Sequence, residues 1–389
     1  MHPGRRRDSR LSPRLSRDPA ARRRFYALVG AAAIALVVGL LVGAGSGGEE
    51  SGPASSQPGR EESLQHAVDR LGLREQVGQV LISSFDETSV PEYIHRRLRA
   101  RETAGVILFG RNAESESQWR ELTRSLQRQA SNEALVMVDQ EGGPVRTVSF
   151  AGPEAAQPFQ GAPAEIRSAA RDAGETLRSI GVNVNLAPVA DLAAPGGAMA
   201  SRAFAGDAAT VAASTRASIA GMRAGGVAAT AKHFPGLGAS PVNTDDASAT
   251  VTTARSILED AELVPFRAAV AEDVPLVMLS HALYPALDGE RIASQSRPIV
   301  TGLLRGELGY DGVIVTDSLE AQAVLDRSGI AAAAERSVVA GADLILMTGS
   351  ASWNEVFPRL LARARESAAF RRRVRESAAR VLGLKRLLR

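Results

Sequence analysis

From residue 63 to the end of the chain, apolar strand-like runs alternate with amphipathic stretches. The runs occupy 77–85, 105–109, 134–138, 182–188, 227–231, 275–279, 312–316 and 343–347. Between them, helix-patterned segments cover 117–129, 163–180, 208–224, 257–271, 299–306 and 331–340, with a shorter stretch at 91–101. Eight runs, most of them separated by one helix, predict an α/β fold: a (β/α)8 TIM barrel forming a single domain over 63–389. A doubly wound open sheet is the main rival, but no Gly-x-Gly-x-x-Gly follows the first run. The closing segment, 352–388, reads as one basic helix.

Upstream the pattern changes. Residues 25–44 are uncharged and rich in Ala, Val and Leu. As a helix they would span about 30 Å, the thickness of a bilayer core. Residues 1–24 carry nine arginines against Asp8 and Asp18. These features predict a single-pass anchor in the cell membrane, with the basic tail cytoplasmic and the catalytic domain on the extracytoplasmic side. The alternative is secretion after cleavage of an export signal, since Arg22-Arg23-Arg24-Phe25 faintly resembles a twin-arginine signal. Residues 45–62, built of Gly, Ser, Pro and Glu, read as a flexible tether.

Locating the charge changes what the sequence pI of about 9.6 implies. The chain is +3 overall, but the basicity belongs to the first 24 residues and the remainder is mildly acidic. Nucleic-acid binding is therefore excluded as the main activity. The absence of cysteine excludes disulfides, thiolate metal sites, a cysteine nucleophile and a lipidated N-terminal cysteine.

Barrel active sites are assembled from the C-terminal ends of the strands. Those ends hold Arg111-Asn112, Asp139-Gln140-Glu141-Gly142-Gly143, Asn185, Lys232-His233, His281 and Asp317. Any one of these reads equally well as a satisfied loop anchor. Six polar clusters at one end of a barrel favour a functional site.

The same residues fall within ordered motifs. In sequence these are Gly105-Val106-Ile107-Leu108-Phe109-Gly110-Arg111-Asn112, Val138-Asp139-Gln140-Glu141-Gly142-Gly143 and Asn185-Leu186-Ala187-Pro188-Val189-Ala190-Asp191. Ser201-Arg202-Ala203-Phe204, Lys232-His233-Phe234-Pro235-Gly236 and the run from Gly306 to Thr316-Asp317 follow. From about residue 64 to about 385 the chain resembles glycoside hydrolase family 3, in its single-domain β-N-acetylhexosaminidase branch. The resemblance implies a barrel that removes terminal N-acetylglucosamine, commonly from peptidoglycan fragments, by a retaining mechanism without metal or organic cofactor. It also implies that Asp317 is the nucleophile and that Asp139, Arg202, Lys232 and His233 bind the sugar hydroxyls, with His281 lining the same pocket. A retaining glycosidase does need a carboxylate at the anomeric carbon. The plainer readings are a helix N-cap for Asp317 and a core histidine for His281.

One loop departs from the branch, which usually carries an acid/base histidine two residues after an aspartate. Those places hold Asn243 and Asp245, and no histidine lies between His233 and His281. Asp245 or Asp246 protonates the leaving oxygen, or the enzyme is slow for want of a general acid, or the domain binds glycans without cleaving them. The plain reading of Asp245-Asp246 is a solvated acidic loop. Pro144 and Thr147 also replace two usual arginines, with Arg146 one residue early. The expected function is a retaining exo-glycosidase acting on terminal β-N-acetylglucosaminyl bonds. The alternatives are a non-catalytic glycan- or muropeptide-binding protein on a degenerate barrel, or a family 3 glycosidase of changed specificity.

Overall fold

The computed structural model describes residues 58–389. The expected basic tail (1–24), the membrane span (25–44) and most of the tether (45–62) lie outside the described residues. Among the described residues no helix is long and apolar enough to cross a membrane. The expected membrane location is corrected accordingly: nothing described here carries it. A helix over Pro58–Asp69 takes in the last residues of the expected tether, opening on a proline suited to a first helical position.

Each of the eight runs overlaps a strand: β1 (Leu81–Ser83), β2 (Gly105–Ile107), β3 (Leu135–Val138) and β4 (Val184–Asn185). They continue as β5 (Ala228–Phe234), β6 (Leu276–Leu279), β7 (Val313–Thr316) and β8 (Ile345–Leu346). Every pairing is parallel, and spatial order follows sequence order from β1 to β7, with β8 on the far side of β1. A parallel bridge between Val315 and Leu344 joins β7 to the start of β8, so the ring is nearly closed. This is the α/β barrel that the alternation of runs and helices implies.

Alternation within each strand divides the core in two. Ile82, Ile107, Met137, Val184, Met278, Val315 and Leu346 belong to one buried cluster inside the ring. Their strand neighbours Leu81, Val106, Val136, Val277, Ile314 and Ile345 belong to the cluster shared with the surrounding helices. Val381 and Leu384 of the C-terminal helix join the inner cluster, which places that helix across the floor of the ring. Asp343, fully buried just ahead of β8, anchors it: the carboxylate takes Arg305, Arg373 at 2.5 Å and Arg380 at 3.3 Å. The expected single basic helix over 352–388 is two helices, Trp353–Glu366 and Ala368–Leu387. Ser367 divides them because its extended backbone lets the hydroxyl accept from Phe370 N as an N-cap.

Candidate active site

At the C-terminal ends of the strands lies a cleft of about 760 Å³. The inner-cluster residues Ile107, Leu186, Met278 and Leu346 form its apolar base, and Asp139, Arg202, Lys232, His233, Asp245 and Asp317 contribute the charge. The structure thus brings together six of the seven expected site residues.

The sugar-binding candidates are held by a carboxylate that the site assignment omitted. Glu141, almost fully buried, accepts from Lys232 Nζ at 2.8 Å and from the Arg202 fork at 2.6 and 3.0 Å. Lys232 Nζ also donates to Asp139 Oδ1 at 2.7 Å. Burial would raise Glu141, but Lys232 and Arg202 outweigh it and bring its pKa down to about 2. Burial likewise works against the charge on Lys232 and Arg202, and the facing carboxylates raise both above their ordinary values. The result is a fixed cationic pair with Asp139 turned toward the cleft.

Successive residues of a regular strand point to opposite faces, yet Lys232 and His233 both line the cleft. The β5–β6 register shifts between Ala231 and Phe234, which accommodates this. Asp191, fully buried and also absent from the expected set, orients the imidazole. Its Oδ1 accepts from His233 N at 3.0 Å and Leu237 N at 2.7 Å, and its Oδ2 takes His233 Nδ1 at 2.7 Å. That leaves His233 Nε2 facing Asp317 Oδ2, 3.8 Å away.

Asp317 follows β7. Its backbone N–H donates to Leu279 O at 3.2 Å, and Oδ1 accepts from Ser318 N at 2.8 Å. Burial alone would raise its pKa; the neighbouring charges, His233 foremost, hold it below the ordinary carboxylate value. Asp245 behaves in the opposite way. Crowding by the surrounding protein, followed by the facing Asp317, pushes its pKa up, although the residue still reaches solvent at the cleft mouth. Asn243 steadies it, donating Nδ2–H to Asp245 Oδ2 at 3.1 Å and accepting from Asp245 N at 3.3 Å. Two backbone bonds pin this loop beside Asp317: Gln322 N to Asp245 O and Ala323 N to Thr244 O, both 3.1 Å.

His281 is placed differently from expectation. It is fully buried and absent from the cleft lining, with Nδ1 2.7 Å from Ser294 Oγ and Nε2 2.9 Å from Ser318 O. Burial pushes its pKa down, so Nε2–H donates to the carbonyl while Nδ1 accepts from the hydroxyl. It supports the turn beneath Asp317 instead of lining the pocket. Asn112 and Asn185 are also anchors. The former spans Phe109 N, Phe85 O and Glu87 O, and the latter clamps both backbone groups of Gln140. Arg146 and Thr147, which stand where the motif departs, both line the cleft.

Glu320 was missed altogether. One carboxylate oxygen accepts from Gly349 N at 2.9 Å, the other from Thr348 N at 2.9 Å and Ser318 Oγ at 3.1 Å. It ties the turn after β7 to the loop after β8. A glutamate four residues past a strand carries no local signal for this, because its backbone partners lie 28 and 29 residues downstream.

One cleft thus carries a carboxyl whose pKa is lowered and another whose pKa is raised, the kind of divergence that separates acid from base roles. Comparison with known proteins gives the family. Residues 72–384 match the glycosyl hydrolase family 3 N-terminal domain. A β-hexosaminidase of Xanthomonas campestris pv. campestris (strain B100) is 35% identical over 255 residues, 63% of this chain and 76% of that protein. A family 3 β-N-acetylglucosaminidase from Paenibacillus sp. str. FPU-7 superposes with TM-score 0.77 at 35% identity, covering 82% of this chain and 63% of the other. For the β-N-acetylhexosaminidase of Beutenbergia cavernae DSM 12333 the values are 0.73 and 33%, over 81% of this chain and 98% of that one. With barrel, cleft and relatives in accord, the chain belongs to glycosyl hydrolase family 3 and is a glycoside hydrolase.

Proposed function

We propose that the chain is a retaining exo-glycosidase that hydrolyses terminal β-N-acetylglucosaminyl bonds, with cell-wall fragments as the natural source of such bonds. The substrate class is supported by the names of the relatives. The observation that supports the mechanism is that Asp317 and Asp245 line one cleft, with His233 Nε2 3.8 Å from Asp317 Oδ2. Asp317 attacks the anomeric carbon as Asp245 gives its proton to the departing oxygen, leaving a glycosyl ester on Asp317. Asp245, now a carboxylate, takes a proton from the water that releases the sugar. Lys232, Asp139, Arg202 and His233 grip the hydroxyl edge of the ring through charge-assisted hydrogen bonds.

The test is release of 4-nitrophenol from the N-acetyl-β-glucosaminide by the full chain. Asp317→Asn is expected to lower turnover by on the order of 10⁴-fold or more. The missing Asp-His pair favours a second reading, a glycan-binding barrel that does not cleave. Calorimetric binding of N-acetylglucosamine with no turnover at any pH from about 4 to 8, a range that brackets carboxyl titration, would select it.

A further inference from the structure

A second cavity, of about 330 Å³, opens at the other end of the barrel. Its walls come from residues that precede strands, including Gln79 before β1, Thr103 before β2 and Glu133 before β3, together with the C-terminal helix. Arg70, Arg101, Lys385, Arg386 and Arg389 line it with one side-chain carboxylate, Glu133, which is paired with Arg389, while Arg101 lies 3.5 Å from Glu75. Lys385 is the decisive residue. It is 8% exposed, and the partner of its ammonium is an uncharged amide, Gln79 Oε1, at 2.7 Å. An ammonium has three N–H donors, so a buried cation faces the cavity with donors to spare. A buried charge without a counter-ion is costly unless something supplies one. Burial, followed by repulsion from Arg101, accordingly pulls the Lys385 pKa down to about 7.

We propose that this cavity is a binding site for a small phosphate-bearing molecule, with Lys385 as its buried ligand and Arg70 and Arg101 at its rim. A phosphate monoester brings close to two negative charges and three acceptor oxygens. That matches a cavity whose buried ammonium, Lys385, has an amide and no anion as its partner, with the exposed Arg70 on the same lining. The volume, at the lower end of small-molecule sites, suits a phosphorylated metabolite better than a macromolecule.

Inorganic phosphate is the probe, titrated calorimetrically into the full chain against sodium chloride of matched ionic strength. Saturable heat at one site per chain is expected with phosphate and not with chloride. Lys385→Met should weaken binding at least about tenfold, with circular dichroism reporting whether the variant folds. Arg70→Gln, at an exposed position, should weaken it as well and does not depend on the buried site surviving mutation. Absence of saturable heat in the unmodified chain overturns the proposal. So does undiminished binding in both variants, which would put the anion in the catalytic cleft or elsewhere. Because the readout is binding, failure of the proposed hydrolysis leaves this result untouched.

Discussion

Asp317 and Asp245 carry the same functional group, and their surroundings drive it in opposite directions. The His233 ring lies 3.8 Å from Asp317, whereas Asp245 has a carboxylate opposite it and an amide beside it. The sign of the consequence for activity follows. In the proposed roles Asp317 acts ionised, so the acid limb of kcat/KM is expected to be shifted down from the ordinary carboxylate value. Asp245 acts protonated, so the alkaline limb is expected to be shifted up from it. Asp245→Asn is expected to abolish the alkaline limb and to lower turnover of an unactivated glycoside by about 10²–10⁴-fold. A 4-nitrophenyl glycoside, whose leaving group needs little protonation, should suffer much less. Equal losses on the two substrates would remove Asp245 from the role of proton donor. At this scale the sequence placed Asp317 and Asp245 on the cleft, where both lie, and also placed His281 there, which is buried outside the lining, since burial depth has no local signature.

The loop that presents Asp245 is an element held from three sides. Its start passes so close to the segment after β4 that a Cβ on Gly238 would lie 1.6 Å from Leu192 O. Its middle is fixed by Ala198 N donating to Ser240 O at 2.8 Å, and its end by the backbone bonds to Gln322 and Ala323. Gly238→Ala should force the backbones apart, at a stability cost of about 1–3 kcal/mol. Displacement of Asp245 should lower kcat on the order of 10²-fold. An unchanged kcat with a lowered melting temperature would show that the loop needs no such anchor. The helices were more legible than the loops. Ala208–Ala224 matches its expected span because Asp207 caps it, accepting from Thr210 N at 2.9 Å. Glu116–Gln129 opens with a reciprocal Ser115–Gln118 capping box. The segment expected as one helix over 257–271 instead contains a wider turn at Leu258–Glu262, which spacing alone does not distinguish from a regular helix.

Across the whole molecule, that wider turn has a consequence for stability. Glu262 ends it 7% exposed, its Oε2 is buried without a hydrogen-bond partner, and burial followed by the Asp191 charge pushes its pKa up to about 7. Because the folded value is raised, the unfolded chain loses this proton first as pH rises. The group is neutral in both states below the ordinary value of 4.5 and costs nothing there. Stability then falls between that value and about 7, by on the order of 3 kcal/mol in total. Glu262→Gln should therefore raise the urea midpoint at pH 8 and change it little at pH 4; an equal change at both would refute the assignment. Such groups mark the boundary between what sequence and tertiary structure each decide. The barrel and the polar clusters at the C-terminal ends of its strands followed from the sequence, because hydrophobic periodicity and strand-end polarity are properties of neighbouring residues. Only the folded chain decided that Glu141 joins Lys232 to Arg202, that Asp191 orients His233, and that Glu262 and Lys385 are buried without a charged partner. Those facts depend on contacts between segments tens to hundreds of residues apart, and on the loss of water around them, neither of which is written in local spacing.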